Sequence, residues 1–417
     1  MSIPKKSLTE VALLLAFKAI LELVYVQFVN PLYEYMGFFL DLNLLKLFES
    51  YVFLVMIFFS LPHEEKRISA IGLKILFLIM IVPTLSLYAL IDGPRIFVYF
   101  LVGGFFITIF VVRTVPLVRI NTIETPKWIL FSILGVVSIL VCLVLLKISG
   151  IPTLSALTFS HVYEIRREFD YGPRIMGFLI PWVANVINCL FIGLAWYKRR
   201  YLILFLVLGL QVFLFLMTPH KGFLFSPLLV LFLVYATRRQ RVMALSLFCL
   251  ISVVLFSYVL HKSNISNYPA SLFVRRVFFL PSRVSFCYYD FFSSNEHMHL
   301  SESKMGFGLF DNPHEHYQMS IPNIMGMIYA NNPDCNMNTG YIGDAFMNFG
   351  LVGILVFSLI LGLVLVAADS LSRGVGMYAT TAAVGVPLFK LINAALFTSM
   401  LTGGFLLGIF VIWLYRE

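Results

Sequence analysis

Charged residues are scarce in this chain. They make up 12% of its 417 positions, whereas hydrophobic residues make up 60%. A chain of this length would otherwise suggest two or three soluble domains. No segment has the polarity that the surface of a separate soluble domain requires. The composition therefore predicts one integral membrane domain over residues 1–417.

Cysteine is also rare, with five residues in the whole chain. This number is too small for a disulfide framework. Cys142, Cys189 and Cys249 lie inside apolar runs, whereas Cys287 and Cys335 lie in the longest polar segment. The last two are able to pair if that segment lies outside the cytoplasm. Sequence does not determine connectivity, so the pairing is left open.

Apolar runs recur from one end of the chain to the other, each long enough to cross ~30 Å of hydrocarbon. The first run, Val11 to Val29, is too long for the apolar core of a signal peptide and shows no small-residue cleavage site, which indicates a retained span. We expect an all-α polytopic bundle of about twelve transmembrane spans. The predicted spans are 9–29, 44–62, 69–91, 96–112, 128–147, 174–196, 201–217, 223–237, 242–260, 344–366, 376–395 and 402–415.

The net charge of +9 comes largely from basic clusters in alternate connections. In a soluble protein this charge would suggest nucleic acid, but in a membrane protein loop arginines and lysines first set the orientation. The positive-inside rule places clusters such as Lys66-Arg67 and Lys198-Arg199-Arg200 in the cytoplasm, together with both termini. We therefore expect no nucleic-acid partner. No repeat is visible, so an inverted-repeat transporter is unsupported but stays open.

Two connections on the opposite side are long, at residues 148–173 and 261–343. In the first, Leu154 to Tyr171 shows a helical apolar pattern, which predicts a short helix along the membrane surface.

The second long connection begins with the apolar stretch Ser271 to Ser293, which Pro281 interrupts. This pattern predicts two interfacial helices that meet at the proline. Asn312 to Asn338 is rich in Asn, Pro and His, which predicts an irregular lid or loop.

The same orientation places many cations outside the cytoplasm, where topology does not require them. This excess predicts an anionic ligand on that side. The cations are Arg166, Arg167, Arg174, Lys221, Lys262, Arg275, Arg276, Arg283 and Lys304.

Arg166 and Lys221 are the first candidates for binding phosphate. An inward-facing Arg166 would hold a phosphate through its planar fork, or it would bind lipid headgroups from a surface helix. Lys221 lies in the tight turn Thr218-Pro219-His220-Lys221-Gly222. A lysine that only snorkels to the interface needs no rigid turn, so this pattern favours a functional lysine.

Arg275, Arg276 and Arg283 form the second basic group. Residues seven apart share a helical face, which favours Arg276 together with Arg283 as a second phosphate clamp. The alternative is that these arginines anchor the adjoining aromatic residues among lipid headgroups.

The run from Asn338 to Gly350 opens the tenth predicted span. A helix N-terminus there would point its free amides at the long loops. Asn338 or Thr339 is a candidate N-cap, and Asp344 fits a first-turn carboxylate. The alternative is that Asn338 contacts a ligand and Asp344 acts as a general base.

His314 and Glu315 lie in the segment Asp311 to Tyr317. A lone H-x-H is a weak metal pattern, so we predict no metal and no cofactor. Acid–base chemistry or an ordinary polar loop are the other interpretations. In the first span, Lys18 and Glu22 are four residues apart and are expected to neutralise each other.

These features together resemble the O-antigen polymerases, which are Wzy-type oligosaccharide repeat-unit polymerases of bacterial inner membranes. The residues that carry the resemblance are Val162 to Arg166, Thr218 to Gly222, Arg275-Arg276 with Arg283, and Asn338 to Gly350.

The resemblance implies a GT-C-like glycosyltransferase that joins lipid-linked repeats on the periplasmic face. It implies undecaprenyl-diphosphate-linked oligosaccharide as donor and acceptor, and a chain-length co-polymerase as partner. Asp344, then Glu315 or His314, would serve as the base. Arg166, Lys221, Arg276 and Arg283, with Arg275 and Asn338, would contact diphosphate. The alternatives are an O-antigen ligase and a flippase for the same lipid-linked sugars.

Overall fold

The computed structural model describes residues 5–120, 125–152 and 172–415. This part of the chain is helical and contains no β-strand beyond an isolated bridge between Asp41 and Ile91. Its long apolar helices make it a membrane-embedded bundle. Nine of them, within the described ranges, are long and apolar enough to cross a bilayer: Leu8–Met36, Ile68–Leu90, Arg95–Thr114, Lys127–Ser149, Met176–Tyr197, Lys221–Arg238, Val242–Lys262, Tyr341–Leu371 and Leu396–Leu414.

The other three predicted spans correspond to shorter helices. Leu44–Ser60 and Tyr201–Met217 have 17 residues each, and Met377–Lys390 has 14. A 14-residue helix is only about 21 Å long, which is less than the hydrocarbon thickness. The figure of twelve spans therefore stays a prediction.

Ile68–Leu90 is the central helix of the bundle, because its most apolar 18-residue window is completely buried inside the protein. Its first turn is capped by a distant carboxylate: the Ser69 amide donates to Asp369 Oδ1 at 3.0 Å and the Ser69 hydroxyl to Oδ2 at 2.5 Å. Gly72 lies against Leu365 and Leu388, so a close helix–helix contact forms there. This packing joins the first third of the chain to the last.

Two lysines buried within the bundle are paired with carboxylates. The predicted interaction of Lys18 with Glu22 is confirmed, and Tyr51 donates to Glu22 at 2.8 Å. Lys74 and Glu65 form a second buried ion pair, 2.8 Å apart. Each carboxylate has a cation beside it, which offsets much of the cost of burying charge.

The apolar start of the 261–343 connection is packed inside the protein. A π-helical segment, Ala270–Phe279, leads directly into the helix Leu280–Ser294, with Pro281 in its first turn. The two segments therefore meet where the sequence places the proline. The helix Leu280–Ser294 contacts Tyr341–Leu371 and is buried at nine of its positions. It therefore belongs to the core of the bundle, although it lies in a connection between spans.

The later part of that connection is not irregular throughout, and this expectation was wrong. A helix runs over Ile321–Ala330, and its Ile321, Ile324 and Met325 are buried. Pro322 fits its first turn, where no backbone donor is needed. The helix expected at Leu154 to Tyr171 lies outside the described residues.

Tyr341–Leu371 is broken at Phe349 and Gly350. Gly350 has φ +62° and ψ −151°, a backbone conformation that only glycine adopts readily. The break frees backbone carbonyls on the preceding turn. The amides of Met298 and His299 donate to the carbonyls of Met347 and Asn348 at 3.0 and 3.2 Å. The long loop is thereby attached to the first half of this helix.

Candidate functional site

A cavity of about 420 Å³ lies where five parts of the chain meet. They are the helix Leu280–Ser294 at Tyr288, the loop around residues 298–303, the start of the helix Ile321–Ala330, residues 338–348 at the start of Tyr341–Leu371, and the broken segment 393–402. Apolar side chains, among them Phe397 and Leu401, form part of its wall. Its main polar lining consists of Glu302, Asn338, Thr339, Asp344, Asn348 and Asn393.

Asp344 is the most enclosed carboxylate in this lining, with 5% of its surface exposed. Its Oδ2 accepts a hydrogen bond from the Leu396 amide at 3.2 Å, and its Oδ1 accepts one from Asn348 Nδ2 at 3.1 Å. Both donors are neutral. None of the ion pairs among the described residues includes Asp344. A carboxylate held by neutral donors beside a cavity is suited to proton transfer.

Asn348 connects that carboxylate to the loop. It also donates to the Asp344 carbonyl at 2.8 Å and accepts from the Leu300 amide at 2.7 Å. Sequence reasoning included Asn348 in the Asn338–Gly350 run but gave it no role. Its contact with Leu300 depends on loop docking, which the sequence does not show.

Glu302 is a second carboxylate of the cavity, and the sequence analysis missed it. It lies at the exposed mouth, where its Oε1 accepts from Asn312 at 3.4 Å. Partial burial raises the pKa of Glu302, and hydrogen bonds to the carboxylate oppose this rise only in part. The shift favours the protonated form, which is able to donate a proton.

Asn338 lines the cavity and remains exposed to solvent. The expected N-cap role of Asn338 or Thr339 is wrong, because Gly340 occupies the N-cap position and no side chain caps the helix. Gly340 is needed for a close backbone approach: a Cβ atom there would lie 2.2 Å from the Ile392 carbonyl oxygen. Tyr341 N donates to Leu391 O at 3.1 Å, which joins two walls of the cavity.

Arg275 and Arg283 do not line the cavity. Arg275 is 6% exposed, and its guanidinium lies 4.3 Å from the centre of the Tyr33 ring and donates to Ser271 at 3.0 Å. Burial lowers the pKa of Arg275. Arg283 packs directly beneath Gly37. Arg275 therefore packs on the end of the first span, and Arg283 packs on the residue that follows it.

Lys221 and Arg276 lie on adjoining elements away from the cavity lining. The Lys221 ammonium is 5.9 Å from the Tyr268 ring. Phe225, one turn after Lys221, contacts Phe273, which is three residues before Arg276. The helical segments that carry Lys221 and Arg276 are therefore in contact near these two residues.

Lys390 is a further cation near these elements. Its ammonium lies 5.7 Å from the Phe223 ring, and its carbonyl accepts from the amide of the cavity residue Asn393 at 3.1 Å. The sequence pattern assigns Lys390 no role, because a lysine near a span end is ordinary.

His314 and Glu315 are outside the cavity lining. His314 is buried against Phe291 and Phe292, and its Nε2 is 2.9 Å from the Glu296 carbonyl oxygen. Glu315 is exposed in a short 3₁₀ turn.

No cluster of three or more His, Cys, Asp or Glu residues suitable for a metal occurs in the described part of the chain. Cys287 and Cys335 are both free thiols. Arg166 lies outside the described residues, so its position relative to the cavity is not part of the site's geometry.

Comparisons with protein-family models, with curated proteins and with solved structures found no match to this chain. The chemistry of the cavity lining is therefore the basis for assigning a function.

Proposed function

We propose that this chain is a membrane glycosyltransferase. It polymerises undecaprenyl-diphosphate-linked oligosaccharide repeat units into O-antigen or a related surface polysaccharide on the periplasmic face of a bacterial inner membrane. The observation that carries the proposal is the cavity in which Asp344 and Glu302 meet several side-chain amides. Its volume of about 420 Å³ falls within the usual range of ligand sites.

The composition of the cavity wall supports a sugar as the ligand. The side-chain amides of Asn338 and Asn393 and the carboxylate of Glu302 are suited to hydrogen-bonding hydroxyl groups. The apolar wall at Phe397 provides a surface for the less polar face of a sugar ring.

The proposed reaction is a direct displacement at the anomeric carbon. Asp344 accepts the proton of an acceptor hydroxyl, whose oxygen forms the new glycosidic bond. The bond from the anomeric carbon to the diphosphate oxygen breaks, and lipid diphosphate leaves with the electron pair. This displacement inverts the anomeric centre. Holding two lipid-linked reactants together lowers the entropic part of the barrier.

The leaving diphosphate requires cations, because negative charge develops on its oxygen. The proposal assigns this role to Lys221 and Arg276, together with Arg166. Arg275 and Arg283, which pack on Tyr33 and beside Gly37, are assigned a structural role at the end of the first span. His314, which is already bonded to a backbone carbonyl, is assigned a structural role.

Glycan analysis of a deletion strain tests the proposal. Loss of the gene should replace long surface polymer by single repeats. Complementation with Asp344→Asn, which removes the base, should leave polymer formation at least about 100-fold lower. Asp334→Asn is the matched control, because Asp334 is an exposed aspartate away from the cavity. Long polymer made by Asp344→Asn at the control level would contradict the proposal.

The same strain tests the cations. Lys221→Ala or Arg166→Ala should reach the membrane normally yet abolish long polymer, whereas the exposed Lys66→Ala should not. Purified protein supplied with a lipid A core as acceptor separates the rivals. Transfer to that core would indicate a ligase, and movement of unaltered lipid-linked sugar between leaflets would indicate a flippase.

A further inference from the structure

Asn348 makes three hydrogen bonds that together fix the orientation of its amide. Nδ2 donates to the Asp344 carbonyl at 2.8 Å and to Asp344 Oδ1 at 3.1 Å. Oδ1 accepts from the Leu300 amide at 2.7 Å. The side chain is buried, with 2% of the residue exposed. If the amide were rotated by about 180°, its NH₂ group would face the Leu300 N–H and its oxygen would face the oxygens of Asp344. Only one orientation therefore satisfies its partners.

The helix break makes this arrangement possible. Because the helix is interrupted at Phe349 and Gly350, the loop strand docks onto the turn that carries Asn348. Three loop amides, those of Met298, His299 and Leu300, donate to this turn. The Leu300 amide donates to the side chain of Asn348, whereas the other two donate to backbone carbonyls. The same Asn348 side chain donates to the Asp344 carboxylate.

We propose that Asn348 is a positioning residue: it holds the Asp344 carboxylate towards the cavity and couples that orientation to docking of the loop that carries Glu302. This inference rests on the proposed function, in which Asp344 accepts the acceptor's proton. The loop connection is short, since Glu302 follows Leu300 by two residues.

The coupling has a chemical consequence. A neutral N–H donor stabilises an ionised carboxylate without neutralising it, so Asp344 keeps its ability to take a proton. The other titratable side chains that line the cavity are Tyr288 and Glu302. The segment that supplies the Leu396 amide, Leu396–Met400, has no titratable side chain.

Asn348→Asp separates the two functions of the amide. The new carboxylate still accepts from Leu300, but it replaces the donor to Asp344 by an oxygen that repels it. Two carboxylates about 3 Å apart do not both ionise readily, so the acid limb of the pH–activity profile should move upward by at least about 1 pH unit. Polymerisation is measured in membranes of the complemented deletion strain, with the cell's own lipid-linked repeats as substrate.

Asn323→Asp is the matched control. Asn323 also donates through Nδ2 to a backbone carbonyl, that of Pro333, at 2.8 Å, and it lies outside the cavity lining. Its variant should keep the wild-type pH profile. An Asn348→Asp profile that matches this control overturns the positioning role.

Hydrogen exchange of purified protein tests the link to the loop without any substrate. Asn348→Ala should speed exchange of the Leu300 amide by roughly 2- to 10-fold, the equivalent of one hydrogen bond. Asn348→Asp should leave it near the wild-type rate. Unchanged exchange in Asn348→Ala overturns the coupling.

The two proposals fail in different ways. If Asp344→Asn polymerises normally, the proposed function fails, and the positioning role falls with it. If Asp344→Asn is inactive while Asn348→Asp keeps the wild-type pH profile, only the inference about Asn348 is overturned.

Discussion

Asp344 and Glu302 are two carboxyl groups of one cavity that differ in their access to water. Asp344 is enclosed, and backbone and side-chain amides satisfy its oxygens. Glu302 is exposed at the mouth of the cavity, and partial burial of its carboxyl group raises its pKa. Two carboxyl groups in unlike environments are suited to unlike roles, one as a base and the other as a proton donor.

Glu302→Gln should change the pH dependence of stability. Because folding raises the pKa of Glu302, the folded state holds the proton more tightly than the unfolded state does. The free energy of unfolding therefore falls as pH rises through these pKa values. Glutamine does not ionise and escapes this loss. The variant should equal wild type near about pH 4 and melt up to about 2 °C higher near about pH 8.

The melting temperature in detergent, measured across this pH range, checks the prediction. The shift is small because the side chain still reaches solvent. Glu296→Gln, an exposed glutamate outside the cavity lining, is the control. A Glu302→Gln variant that gains stability only at acid pH would contradict the assignment.

At the residue scale, the sequence indicated Asp344 and Asn338 because they open a span beside small residues. It did not indicate Glu302 or Asn393, which approach Asp344 only through the tertiary packing of distant segments. The sequence also assigned Arg275 to a ligand site that it does not line. Charge pattern predicts the side of the membrane on which the arginines lie, but not that Arg275 packs on Tyr33.

The broken helix Tyr341–Leu371 is the element that organises the cavity. Hydropathy predicted a shorter span, 344–366, within this helix and gave no sign of the break, since a break of two residues leaves the average hydropathy unchanged. The positive φ of Gly350 accompanies docking of the loop, and a single sequence gives no direct sign of it. The same argument applies to Ile321–Ala330, a short helix whose polar flanks led to a loop prediction.

Gly350→Ala should destabilise the protein. An alanine would be forced into a backbone region that costs of order 1–3 kcal/mol for residues other than glycine. Its Cβ atom would also lie 3.1 Å from His297 Nε2. We expect a lower melting temperature together with faster exchange of the amides at 298–300.

Gly103→Ala is the matched control for this substitution. Gly103 lies within the helix Arg95–Thr114, and no atom lies within 4 Å of a Cβ atom added there. Equal melting temperatures for Gly103→Ala and Gly350→Ala would show that the break does not depend on glycine.

At the scale of the whole molecule, the apolar composition predicted a helical membrane bundle, and nine long apolar helices in the described residues agree with it. Short helices such as Met377–Lys390 explain why a hydropathy count exceeds this number. An apolar run that is buried inside the protein need not form a helix long enough to cross the bilayer.

Thiol labelling tests the orientation of the bundle. A variant that keeps only the half-buried Cys335 should react with an impermeant maleimide added to intact cells. Glu64→Cys, in a background without other cysteines, should react only after lysis, because its loop belongs to the basic side. A variant that keeps only Cys287 should stay unlabelled in both cases, since that residue is 1% exposed. Labelling of Glu64→Cys in intact cells would reverse the topology and exclude a periplasmic site.

The position of Ile68–Leu90 has a consequence for biosynthesis. This helix leaves the ribosome early, yet the carboxylate of Asp369 and the side chain of Leu388, which enclose its first turns, are translated about 300 residues later. Until then, its polar Ser69 must be sheltered by the translocon or by an insertion chaperone. Truncated nascent chains that end before residue 369 should therefore be preferred substrates of membrane quality-control proteases.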